Sequence, residues 1–113
     1  MSAEVRSVSR TGGEKGTKDE RFDLIPISAL TQLARHYGVG ARKYADNQWR
    51  KGYEWSKSYA ALMRHMTAHW DGETHDPESG LPHLAHAGCH VAFMLTWLAE
   101  QGEGGQFDDR YTR

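Results

Sequence analysis

A single cysteine in 113 residues, Cys89, excludes an internal disulfide and any Cys-x-x-Cys metal or redox pair. Its place inside an apolar run makes it a small packing residue rather than a nucleophile. No apolar run approaches the roughly 18 residues of a membrane span, and residues 1–20 contain no apolar stretch fit for a signal peptide. A soluble intracellular protein is therefore expected. Neither sign of charge dominates, with 14 basic against 15 acidic side chains, and this removes the broad basic footprint of a duplex nucleic-acid binder. There is no β-alternation, no internal repeat, no Gly-rich loop ending in Gly-Lys-Ser/Thr and no His-Glu-x-x-His. What remains is one small domain with four Trp, five Tyr and three Phe to fill a core. A chain of this size gains by burying more apolar surface against a second copy, so a homo-oligomer, a dimer or dimer of dimers, is expected.

Residues 1–20 carry only Val5 and Val8 as sizeable apolar side chains and read as a disordered arm. Pro26 holds Ile25 extended, and Ser28 is placed to cap a first helix through Leu33 and Tyr37 that Gly38 and Gly40 end. A short helical turn at Ala41 to Tyr44 then leads into a polar, aromatic loop over 46–52. Tyr59, Leu62, Met63, Met66 and Trp70 recur at helical spacing, so a second helix runs from near Ser56 or Ser58 to Trp70, stopped by Gly72. A third runs from about Pro82 to Gly102 and is apolar nearly all round, which makes it the central helix of a bundle or an interface. Residues 103–113 read as a loose tail. The predicted fold class is all-α, a small bundle of three to four helices over 21–102, completed by oligomerisation.

Histidine is the unusual feature: of seven, six lie between His65 and His90. His83, His86 and His90 fall at i, i+3 and i+7 on one stripe, and His65 and His69 at i and i+4 on the preceding helix. The connection between them carries Asp71, Glu73, Asp76 and Glu78. An antiparallel hairpin would gather these imidazoles and carboxylates at one end, a mixture suited to Mg²⁺ or Mn²⁺, and with more imidazoles to Fe²⁺ or Zn²⁺. Half-buried packing histidines and helix-capping acids are the other reading. His69 and His90 lie further from the acidic loop, and His75 is read as solvated. A second constellation, Arg42-Lys43-Tyr44 with Asn47-Gln48-Trp49-Arg50-Lys51-Gly52, could hold phosphate oxygens and stack a base, or be a solvated basic face. Arg64, next to His65, could stabilise charge on a reacting phosphoryl group.

Arg21-Phe22-Asp23-Leu24-Ile25-Pro26, Gly40-Ala41-Arg42-Lys43-Tyr44 with Trp49-Arg50-Lys51-Gly52, Arg64-His65, and above all the Gly72 to Ala87 block together resemble the phage-type dATP/dGTP diphosphohydrolase (MazZ-like) family, related to all-α MazG-type nucleotide pyrophosphatases. The resemblance spans residues 21 to about 98. It implies metal-dependent cleavage of a purine deoxynucleoside triphosphate to the monophosphate and pyrophosphate in a phage nucleotide pool, in the host cytoplasm. By matching positions it implies Glu73, Asp76 and Arg64 as catalytic groups. It places Glu73, Asp76, Glu78, His83, His86 and His65 around Mg²⁺ or Mn²⁺, and Lys43, Tyr44, Trp49 and Arg64 on the substrate. Two alternatives stand beside it. One is a metal phosphohydrolase releasing phosphate or triphosphate, and the other a non-enzymatic, metal-binding helical dimerisation module.

Overall fold

The structure, a computed structural model, describes residues 5–111. Three helices make the body: α1 (Ile27–Lys43), α2 (Trp55–Trp70) and α3 (His83–Gln101). Short 3-10 turns at Phe22–Leu24 and Gln48–Lys51 lie in the connections. The fold is mostly helical but not purely all-α, because β1 (Val5–Val8) and β2 (Glu14–Thr17) pair antiparallel with Val5 opposite Thr17 and Val8 opposite Glu14. Residues 5–17 of the arm expected to be disordered are thus a hairpin; residues 1–4 lie outside the described residues. Apolar content was a poor guide here, since the hairpin is held by backbone pairing and its turn. Ser9 N–H donates to the Gly13 carbonyl, and Gly12, at φ 89°, takes the left-handed conformation that the reversal needs. The hairpin stands off the helices, and the radius of gyration is 18.3 Å, against roughly 13 Å for a compact chain of this length.

α1 runs straight through Gly38 and Gly40 and absorbs the separate turn expected at 41–44. Each glycine costs a helix roughly 0.5–1 kcal/mol. Against that cost, Leu33 and Tyr37 pack on the core, Tyr44 N–H closes the last turn onto the Gly40 carbonyl, and Arg42 and Lys43 face the negative end of the helix dipole. Pro26, rather than Ser28, opens this helix.

α2 and α3 form an antiparallel hairpin in which His65 meets His83 and Ser58 meets His90. α1 lies on α3 where Gly88 leaves room: a Cβ there would stand 2.8 Å from Leu33 Cδ2. α3 is therefore central, and Cys89, Phe93 and Trp97 along it, with Trp55 of α2, form the buried core. Phe107 packs on that core as well. Trp55 N–H bonds the Phe107 carbonyl at 3.0 Å, and the Asp109 carboxylate accepts both the N–H and the hydroxyl of Ser56, capping α2 from far along the chain. Residues 103–111 are thus fastened rather than a loose tail; 112–113 lie outside the described residues. Much apolar surface stays in solvent, including Tyr59, Met63, Met66 and Trp70 on α2 and Leu84, Val91, Leu95 and Leu98 on α3.

Candidate functional site

A cleft of about 1340 Å³ opens between α1, the 45–53 segment, α2 and α3. Its charged end is built by the connection between α2 and α3. Asp76 N–H bonds the Leu81 carbonyl at 2.8 Å, Gly80 N–H returns to the Asp76 carbonyl at 2.7 Å, and His83 N–H reaches the Thr74 carbonyl at 2.9 Å. These bonds hold the acidic turn over the start of α3. The Asp76 carboxylate accepts the Ser79 hydroxyl at 2.9 Å and the Glu78 N–H at 3.4 Å. Burial pushes that carboxyl up, but these hydrogen bonds and His86 outweigh it and hold it below its ordinary value.

The hydrogen bonds around the imidazoles fix where their protons sit. Ser79 gives its one proton to Asp76, so His86, whose Nε2 lies 2.7 Å from Ser79 Oγ, must donate from Nε2. Glu73 accepts from His83 Nε2 at 2.7 Å, which leaves His83 Nδ1 as an acceptor in the neutral ring. His65 Nδ1, 2.9 Å from His83 Nδ1, is then the donor, and His65 Nε2 keeps its lone pair. The His65 and His86 rings stack at 4.2 Å between centroids, and His36 of α1 meets His86 edge-on at 4.4 Å. Burial first, and then the neighbouring imidazoles, push His36 and His90 down to about 4 and lower His65. In His86 burial lowers the pKa and Asp76 opposes it.

Lys43 crosses the mouth to Glu78 at 3.6 Å, with both side chains well exposed. Tyr44 beside it is 68% exposed, leaving its ring open to a ligand. Trp49 differs: it stacks on Phe93 at 4.6 Å with the Arg50 guanidinium 4.9 Å from its centroid, so it serves the core as well as the cleft wall.

The family described as dATP/dGTP diphosphohydrolase, N-terminal, matches residues 9–110. The chain belongs to that family. A dATP/dGTP diphosphohydrolase of Salmonella phage PMBT28 is 31% identical over 77 residues, a stretch covering 68% of this chain and 26% of that protein. The chain thus matches about a quarter of that relative's length. No solved structure gives a significant match.

Of the positions carried over from the family resemblance, Lys43, Tyr44, Trp49, Arg64, His65, Asp76, Glu78, His83 and His86 all line the cleft. Glu73 does not line it; it stands outside, bonded to His83. His90, set apart in the sequence for its distance from the acidic turn, lines the cleft, whereas His69 does not. Sequence reasoning missed His36, although it follows Leu33 by three residues and Tyr37 follows Leu33 by four, so all three share the inward face of α1 and that spacing could have revealed it.

Among the described residues, no group of three or more His, Cys, Asp or Glu side chains forms a ready-made metal cage. A magnesium ion arriving on a triphosphate needs only one or two carboxylates, and manganese also accepts imidazole. The donor chemistry of Asp76, Glu78 and the unshared His65 Nε2 fits such an ion.

Proposed function

We propose that this chain carries the nucleotide site of a diphosphohydrolase that cleaves dGTP or dATP to the monophosphate and pyrophosphate, with Mg²⁺ or Mn²⁺ bound, in phage nucleotide-pool metabolism. Family membership and the relative's name support the substrate class. The observation that carries the reading is the cleft itself, which joins cations and carboxylates at one end to aromatic rings at the other. Cleaving the α–β anhydride requires a water to attack a phosphorus ringed by negative oxygens. Lys43 and Arg64 hold phosphate oxygens and offset that charge. Asp76 and Glu78, with His65 and His86 beside them, would hold the ion; one of the two carboxylates takes the proton released by the attacking water, while pyrophosphate leaves with the bridging oxygen. Glu73 acts through His83, orienting the imidazoles. A bound divalent ion supplies charge neutralisation and a more acidic water. The exposed apolar faces of α2 and α3 support a homo-oligomer. No helix among the described residues is long and apolar enough to cross a membrane.

The test is incubation of the purified chain with each deoxynucleoside triphosphate and Mg²⁺ or Mn²⁺, with product identification. Monophosphate plus pyrophosphate, lost on chelation and restored by metal, is expected. Phosphate or triphosphate as product points to another phosphohydrolase, and no turnover points to a binding or dimerisation module.

A further inference from the structure

Beside the charged groups, the cleft wall carries five rings, His36, Tyr37, Tyr53, His90 and Phe93. His90 follows His83 by seven residues, about 10 Å along the helix axis. A hydrogen-bonded chain behind this wall orients one of its rings. Tyr53 Oη lies 2.8 Å from Ser58 Oγ, and Ser58 Oγ lies 3.0 Å from His90 Nδ1. Ser58 is fully buried and has a single proton to give. If His90 donated to Ser58, and Ser58 to Tyr53, the phenol proton would have no acceptor among the described contacts. Donation from Tyr53 to Ser58 and from Ser58 to His90 satisfies every group and leaves the His90 proton on Nε2. Opposite, on α1, His36 lines the cleft, with its Nδ1 buried and without a partner among the described contacts.

We infer that this part of the cleft is a nucleobase subsite, in which His90 offers its Nε2–H to an acceptor on the base, His36 supplies a second polar contact, and Ser58 and Tyr53 act as positioning residues that fix the His90 tautomer. The assignment rests on the nucleotide reading above and deepens it. A base is flat, carries acceptors on its edge and has no net charge, which suits a wall built of rings with hydrogen-bonding edges. The triphosphate then lies toward Lys43 and Arg64. Tyr44, at the mouth, is left to cover the sugar or the outer face of the base.

The experiment uses three probes on the whole chain: dGTP, deoxyguanosine and inorganic tripolyphosphate. In His90→Ala, binding of dGTP and deoxyguanosine should weaken by about tenfold while tripolyphosphate binding is unchanged. Lys43→Ala should weaken dGTP and tripolyphosphate and leave deoxyguanosine binding unchanged. Ser58→Ala, which removes only a hydroxyl, should reproduce the deoxyguanosine loss in part. For the unmutated chain, imidazole ¹⁵N spectra should show His90 protonated at Nε2 and shifted by deoxyguanosine but not by tripolyphosphate, a readout independent of whether a variant folds. Normal deoxyguanosine binding by His90→Ala, or an Nδ1–H tautomer of His90, overturns the subsite even where dGTP and tripolyphosphate bind and turnover persists. Failure of the unmutated chain to bind dGTP or tripolyphosphate at all overturns the nucleotide reading, and the subsite with it.

Discussion

His65 and His83 face each other nitrogen to nitrogen, their Nδ1 atoms 2.9 Å apart, with Glu73 accepting from the far side of His83. This order lets a carboxylate outside the cleft decide which nitrogen of His65 offers a lone pair inside it.

His83→Ala and Asp76→Asn should each lower turnover by about 10² or more, and Glu73→Ala by about 10 to 100, because Glu73 acts through an intermediary. His83 is only 4% exposed and both its nitrogens are bonded, so its loss should also cost about 1–3 kcal/mol of stability. Steady-state rates beside denaturant melts separate the two effects. Near-normal turnover in a folded His83→Ala would show that its role is packing.

Lys43→Ala should raise KM or lower kcat with the melting temperature nearly unchanged. Its ion pair with Glu78 lies in solvent, where such pairs contribute little. A large loss of stability with normal dGTP cleavage would assign Lys43 to the scaffold.

Gly52→Ala should destabilise the fold by about 1–3 kcal/mol. Its backbone sits at φ 85°, and an added Cβ would stand 2.7 Å from the Phe107 ring. Phe107→Ala should cost about as much, since that ring packs on the core. Urea midpoints check both, and an unchanged midpoint for Phe107→Ala would mean that residues 103–111 are not anchored in solution.

Acid should weaken the fold earlier than carboxylate chemistry predicts. His36 and His90 sit at about 4 in the folded chain against an ordinary 6.5, so the unfolded chain takes up their protons first. Their stabilisation is complete above about pH 6.5 and drains away toward pH 4. Asp76, Asp108 and Asp109 are all held below the ordinary carboxylate range and weaken the fold only below that window. Urea midpoints at half-unit pH steps should fall between 6.5 and 4, and a flat profile would refute the argument.

Sedimentation at micromolar concentration should give a mass above the 12.8 kDa of one chain. Trp70, 89% exposed, and Leu95, 61% exposed, are the positions to charge. Trp70→Glu and Leu95→Lys should shift the distribution toward monomer, and a monomeric unmutated chain would count against self-association.

Helical periodicity carried α2 and α3 into view because Tyr59, Leu62, Met66 and Trp70, and Leu84, Val91, Leu95 and Leu98, repeat at the helical period. The cleft was legible in part for the same reason: His83 and His86 share a stripe, and the acidic turn is short enough to hold them near Asp76. What the sequence hid depended on distant partners. Gly38 and Gly40 look like a helix end unless one knows that Tyr37 is anchored on Phe93. Phe107 and Asp109 look like tail residues until Trp55 and Ser56 supply partners about fifty positions away. Ser58 read only as a candidate helix start, since a serine in a helix becomes informative about a site only when a tyrosine and a histidine from other segments close on it.

Cys89 is fully buried, its thiol pushed up to about 12 by burial and directed at the Leu33 carbonyl of α1 at 3.6 Å. A thiol so placed reacts with a disulfide reagent only when α1 lifts from α3. The chain therefore carries its own opening clock: the rate of colour release from such a reagent measures how often the cleft wall parts, and a nucleotide that bridges α1 and α3 should slow it.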